Sequence, residues 1–362
     1  MVTRSSLKDA ASVVVKIGTS SLLDERGMLD LPVIARHLRD LSLNRTGVRT
    51  VLVSSGSVGA GSVWLGHSRR PVTIPELQGA AAVGQSILMN AYNTLLAQER
   101  YAVAQLLVTH EDFNNRERYL NIRNTLAALH DQPVLPVFNE NDTVATDEIR
   151  FGDNDTLAAL VAGLIDADVT VLFSNVDGFL MNGDVLDEVR TISAEIEAAA
   201  GPGTGAGTGG MVTKLRAARS ITRAGGSVVI ANGKTHTLRS ILDGEAIGTL
   251  FTPRGDLDSR SRWVHALAET GTLVVDAGGA EALRNRGTSL LPVGVTSCRG
   301  SFEAGDAVVV IGPDGPVAKG LVNYRADDVR RILGKKTSEI AATLGQKEFD
   351  EIIHRDNLVL LR

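Results

Sequence analysis

The chain has 362 residues, 43% hydrophobic and 22% charged, which excludes a mostly disordered protein and leaves length for two or three folded domains. No apolar run reaches the ~18 residues of a membrane span, and the sole cysteine, Cys298, excludes an internal disulfide framework and a cysteine-rich zinc site. A net charge of −5 argues against nucleic-acid binding by bulk charge, and residues 1–11 offer no apolar leader, so a cytoplasmic protein is expected.

In chain order, residues 12–17 form an apolar, β-branched run that predicts a strand covered on both faces. A helix is predicted over 31–43, a strand over 50–53 and a long helix over 75–100. Strands at 102–108, 134–138 and 169–173 then alternate with helices at 116–130 and 154–165. A helical stretch at 194–200 leads into the glycine-rich, flexible 201–210, followed by a helix over 211–224 and strands at 227–230 and 248–251. This alternation predicts an α/β domain over 1–262, an open and mostly parallel sheet sandwiched by helices, ending near the charged stretch 254–262. Over 271–349 the pieces are short: strands at 273–275, 294–296 and 307–311, then a hairpin across Gly312–Gly315 into 317–324. They predict a small, mostly β domain, and residues 350–362 are left as a tail without a role.

Ligands of open α/β sheets bind beyond the carboxyl ends of the strands, so the residues after each apolar run are the candidates. Lys16 closes the first strand, with Gly18 just beyond. It reads either as a side chain reaching solvent or as a point charge for phosphate. Residues 54–61 place Gly56, Gly59 and Gly61 at a helix start, for packing or for an anion held by Ser55 and Gly56. Asn139–Asp142 and Gly152–Asp155 are dense in amides and carboxylates, which serve as caps or hold an ammonium, a metal or a lysine. Gly205, Gly207 and Gly210 fit G-x-G-x-x-G, but a helical stretch precedes them, so a dinucleotide fingerprint is rejected. Lys214, in the first turn of a helix, opposes the helix dipole and so suits an anion better than bulk solvent. The seven histidines show no metal-ligand spacing, and Trp64 and Trp263 read as core or interface residues.

Taken together, residues 13–20, 53–61, 139–142, 151–155 and 207–214 resemble the amino acid kinase family, in its glutamate-phosphorylating branch. Residues 286–294 and 317–324 resemble a PUA domain. The resemblance runs in the same order along nearly the whole chain. It implies ATP-dependent, Mg²⁺-assisted phosphorylation of the γ-carboxylate of L-glutamate, the first step of proline biosynthesis, in an oligomer inhibited by proline. It also implies delivery of γ-glutamyl phosphate to a reductase. By position, Lys16 and Lys214 are implied to bind phosphate, and Asp155 to orient both lysines. Ser55, Asp142 and Asn154 fall on the glutamate side. Ser174, Asn175 and the loop Thr208, Gly209, Gly210, Met211, Val212, Thr213 and Lys214 fall on the nucleotide side. Asn175 stands where the family often has Asp, with Asp177 two residues on. The competing readings are a sister kinase acting on carbamate, aspartate, acetylglutamate or UMP, and an RNA-binding protein. Against the latter, 271–349 holds ten basic and nine acidic residues and only Phe302, Tyr324 and Phe349 as aromatics, without a basic stripe.

Overall fold

The alternating apolar strands assemble into an eight-stranded sheet in a computed structural model of the chain, which describes residues 2–42, 48–130, 132–145, 154–201, 210–253, 264, 267, 269–345, 347 and 349–361. Its strands are β1 (Ser12–Ile17), β2 (Arg49–Ser54), β3 (Ala102–Val108), β4 (Val134–Glu140), β5 (Val169–Ser174), β8 (Glu188–Val189), β9 (Ser227–Asn232) and β10 (Thr249–Phe251), with β6 (Leu180–Met181) and β7 (Asp184–Val185) as a separate two-stranded ribbon. The order across the sheet is β3-β4-β2-β1-β5-β9-β10-β8. All neighbours are parallel except β9 and β10. The two-residue strands escape prediction, because alternation cannot register over so short a length.

The principal helices are α1 (Thr19–Leu22), α2 (Leu31–Ser42), α3 (Ser57–Trp64), α4 (Ile74–Leu96), α5 (His110–Asn114), α6 (Arg116–Leu129), α7 (Asn154–Ile165), α8 (Ala194–Ala199), α9 (Met211–Arg223) and α10 (Leu238–Leu242). One face of the sheet, carrying Val13, Val15, Ile17, Leu52, Val137 and Val171, packs on Ile34 and Leu38 of α2 and Leu88 and Tyr92 of α4. The opposite face of β1 meets α7, and α9 lies against α7 and β9. Successive strand side chains alternate faces, so the same rule that sends Val15 and Ile17 into the first core sends Lys16 towards α7. α7 itself is buried along nearly its whole length, as its apolar sequence requires. From β1 the chain passes to β2 on one side, whereas β5 is succeeded by β9 on the other. The crevice above β1 and β5 is therefore the switch point where α/β sheets bind ligands.

The chain forms two units, Met1–His110 with Asn121–Asp256, and Glu111–Leu120 with Leu257–Arg362. The second contains a five-stranded sheet ordered β12-β11-β13-β14-β15, from β11 (Gly271–Val275), β12 (Val295–Gly300), β13 (Ala307–Gly312), β14 (Gly315–Leu321) and β15 (Leu358–Leu360). β13 and β14 form the expected hairpin, with Gly312 opposite Gly315. The segment after 349, to which the sequence assigned no role, supplies β15, and its Ile352 and Ile353 are fully buried in this unit's core. Residues 254–263, which include the charged stretch and Trp263, lie outside the described residues. Trp64 is 70% exposed, so of its two expected roles that of a core residue does not hold.

Candidate active site

Three elements deliver three charged side chains to one buried point. Lys16 is the penultimate residue of β1, Asp155 lies in the first turn of α7, and Lys214 in the first turn of α9. Lys16 Nζ lies 2.7 Å from Asp155 Oδ1, and Lys214 Nζ lies 3.0 Å from Asp155 Oδ2. Thr213 Oγ1 is 2.8 Å from the same Oδ2. Asp155 is fully buried and the lysines are 5% and 4% exposed. Burial alone would push the Asp155 carboxyl upward. The ammonium groups of Lys16 and Lys214, with the bonds from Lys16 and Thr213, outweigh it and hold the group well below the usual carboxylate range. The cluster therefore has one fixed negative charge between two positive ones, an excess of +1 in a water-poor place. Such an arrangement accepts an anion and gives it strong electrostatic stabilisation.

The backbone around Lys16 is drawn close to β5. Gly18 N donates to Phe173 O at 3.1 Å, and a Cβ on Gly18 would stand 3.3 Å from that oxygen and 3.7 Å from Lys16 Nζ. A larger residue there would crowd the ammonium. Ser174 and Asn175 follow at the end of β5, the first buried and the second exposed, with Ser174 Oγ 3.3 Å from Asn175 Oδ1. Asp177 accepts from Asn232 Nδ2 at 2.9 Å. Gly210 is the N-cap of α9, so Met211, Val212, Thr213 and Lys214 form its first turn. Thr208, Gly209 and Asp153 lie outside the described residues.

On the other side of Asp155, its neighbour Asn154 organises a polar network. Asn154 Nδ2 lies 2.5 Å from Ser54 O, 2.8 Å from Asn139 Oδ1 and 3.2 Å from Ser55 Oγ. Asn139 Nδ2 donates in turn to Gln85 Oε1 at 2.8 Å, and Ser54 Oγ pairs with Tyr92 OH at 2.8 Å. Burial raises the Tyr92 phenol well above its ordinary range, so it stays protonated in this network. Gly56, at φ +93°, makes the left-handed turn from β2 into α3. Ser57, the first residue of α3, donates to Asp142 Oδ2 at 3.1 Å. Asn154 thus ties Ser55 to the neighbour of Asp155, and Asp142 is tied to Ser57 in the turn that follows Ser55 and Gly56. Tyr92 and Gln85 were not among the candidates. Gln85 had a signal: it interrupts the apolar stripe Ala81, Leu88 and Tyr92 on the buried face of α4.

Comparison with known proteins bears on this arrangement. Residues 11–232 match the amino acid kinase family, and residues 271–344 match the PUA domain. A glutamate 5-kinase of Moorella thermoacetica is 46% identical over 99% of this chain and 98% of its own length. A glutamate 5-kinase of Chromohalobacter salexigens is 45% identical over the same shares. Among solved structures, a carbamate kinase from Giardia lamblia bound to AMP-PNP is 19% identical with a TM-score of 0.48, over 68% of this chain and 99% of its own.

Proposed function

The chain belongs to the amino acid kinase family, and we propose that it transfers the γ-phosphoryl group of ATP to the side-chain carboxylate of L-glutamate. The products are ADP and γ-glutamyl phosphate, and the reaction opens proline biosynthesis. The observation that carries the residue assignment is the buried Asp155 held between the ammonium groups of Lys16 and Lys214.

A free glutamate side chain has a pKa near 4.3, so at neutral pH the nucleophile is already ionised and needs no general base. Asp155, with its carboxyl held low, is equally unfit to take a proton; it orients the two lysines. One carboxylate oxygen attacks the γ-phosphorus as the bond to the β-phosphate oxygen breaks, and the electron pair leaves with ADP. The obstacle is the approach of an anion to a polyanion. Lys16 and Lys214 neutralise charge on the transferring group, and alignment of donor and acceptor supplies the rest. Ser55, Gly56 and Asn154 hold the acceptor near this point, and Asp142 offers a carboxylate to its α-ammonium. Gly18, Ser174, Asn175 and residues 208–214 hold the nucleotide. Among the described residues no three His, Cys, Asp or Glu side chains converge on one point. A Mg²⁺ ion would be carried chiefly by nucleotide phosphates. When bound, the ion adds further neutralisation of phosphate charge.

Three further roles belong to this reading: a homo-oligomer in the cytoplasm, feedback inhibition by proline, and hand-off of the labile acyl phosphate to γ-glutamyl phosphate reductase. Among the described residues, no helix is long and apolar enough to cross a membrane. The decisive test is ATP-dependent acyl phosphate formation trapped with hydroxylamine, with glutamate, acetylglutamate and aspartate in parallel. Hydroxamate is expected from glutamate alone and is lost in Lys214→Ala. Turnover of another acceptor in its place would reassign the substrate to that of a sister kinase.

A further inference from the structure

A cluster of arginines lies at the other end of the strands of the same sheet. β10 runs against β9, so Phe251, at its end, stands beside Val228 near the start of β9. This is the end away from Lys16. Here a cavity of about 160 Å³ is lined by Val189, Arg190, Ile192, Arg219, Thr222, Arg223, Phe251 and Thr252. Three arginines and two threonines are among its lining residues, together with buried Val189 and Phe251. We propose that this cavity binds a small oxyanion, the phosphate or carboxylate group of a metabolite, at a site separate from the catalytic one.

The arginines come from two stretches of chain. Arg190 follows β8, whereas Arg219 and Arg223 sit four residues apart on α9. The helix dipole accounts for a cation in the last turn of α9 but not for Arg190 meeting it there. The protein partners of Arg190 and Arg219 hold them loosely. Arg190 Nε bonds to Glu188 at 2.8 Å with the arginine side chain 71% exposed. Arg219 Nη2 pairs with Glu197 and lies 3.3 Å from Ile192 O, and the Arg219 and Glu197 side chains are 32% and 49% exposed. Exposed pairs of this kind are worth little, so a ligand can take the place of the carboxylates. These bonds engage one nitrogen of each of the two guanidinium groups, and the planar fork of arginine matches carboxylate and phosphate oxygens in pairs. Thr222 and Thr252 add hydroxyls. Arg223 lies about 13 Å along α9 from Lys214, at 1.5 Å per residue, so the site shares a helix with the catalytic cluster without touching it.

The test is isothermal titration of inorganic phosphate, and separately of succinate, into the full chain with its catalytic site filled by Mg²⁺ and a non-hydrolysable ATP analogue. Saturable binding of at least one anion is expected, weakened about tenfold or more in Arg190→Gln and in Arg219→Gln. The anion that binds identifies the class of ligand. Arg190 is exposed, so its variant keeps the fold even where the Arg219 variant does not. Absence of saturable binding by either anion, or binding that both substitutions leave unchanged, would overturn the proposal.

Discussion

Lys214 stands in the first turn of α9, where a cation works against the helix dipole, and it is nevertheless buried. Asp155 resolves that conflict, and the two residues respond differently to substitution. Lys214→Met leaves Asp155 paired with Lys16, so folding should persist while kcat falls on the order of 10²–10³, as steady-state turnover would report. Asp155→Asn leaves two buried ammonium groups without their shared counter-charge, and denaturant unfolding should show a loss of about 3–5 kcal/mol. A carboxyl held below its ordinary 3.8 stabilises the fold above that pH and loses its effect as pH falls through the lowered value, so the Asp155 contribution is complete at pH 7. His37 carries a different pH signature. Its Nε2 lies 2.7 Å from Gly233 O, its ring stacks obliquely on Phe173, and it is 1% exposed. Burial lowers its pKa below 6.5, more than the Gly233 bond raises it. The unfolded chain therefore binds the proton first, and stability present above pH 6.5 falls as pH drops below it. The slope is at most about 1.4 kcal/mol per unit. His37→Gln keeps a donor at similar reach, and its melting temperature should fall less between pH 7.5 and 5 than that of the unmodified chain. Equal losses would exclude this role. Lys16 and Lys214 were candidates because a strand end and a helix start mark them in sequence, whereas Asp155 was set between them only by the family resemblance. Tyr92, Gln85 and His37 act through partners far away in the chain, and no local pattern names those partners.

The glycines after β2 show where reading at the level of elements divides. Gly56 serves the turn, but Gly61 belongs to helix packing. A Cβ on Gly61 would stand 1.8 Å from Ala80 O, and one on Gly84 would stand 1.7 Å from Ser57 O. α3 and α4 therefore touch backbone to backbone through two glycines, and the sequence left packing and anion binding open because it cannot show which glycine faces a neighbouring helix. Gly84→Ala must push α3 away, and with it the turn that carries Ser55 and Gly56. Thermal melting should show a cost of about 1–3 kcal/mol. The KM for glutamate should rise more than that for ATP. Gly79, on the same helix, meets nothing within 4 Å, so Gly79→Ala should gain up to about 1 kcal/mol from helix propensity alone and leave both KM values alone. If the two alanine variants behaved alike, helix propensity rather than close packing would govern α4. The longer strands and helices of the large sheet were predictable to within a few residues because their apolar patterns run over five or more positions. β6, β7 and β8 were not, since two residues carry no period.

At the scale of the whole molecule, two cores of the described residues have no residue in common. The first gathers Val13, Ile34, Leu88, Val171 and Val229 around the large sheet. The second gathers Leu273, Val310, Val329, Ile340 and Ile353 around the small one. Change of strand style after residue 270 marks the second core in sequence, but nothing in the sequence sets Glu111–Leu120 in the second unit. The membership of residues 350–362 was not visible either, because β15 gains its identity only by pairing with β14, Ala318 opposite Leu360. A domain with its own core can fold alone. Lys16, Ser55, Asp142, Asn154, Asp155 and Lys214, together with the Gln85, Tyr92 and Asn139 network, all fall in the first unit. A chain ending at residue 262 should therefore retain glutamate-dependent turnover within about tenfold of the full chain, a difference of ~1.4 kcal/mol in the barrier. The proline inhibition proposed above is tested on the same pair of proteins: inhibition equal in both assigns it to the first unit, inhibition of the full chain alone with turnover intact in both assigns it to the second, and inhibition of neither overturns it. A folded truncated chain with turnover reduced a hundredfold or more would show that the small β domain is needed for catalysis itself, and that the buried lysine–aspartate cluster is not sufficient.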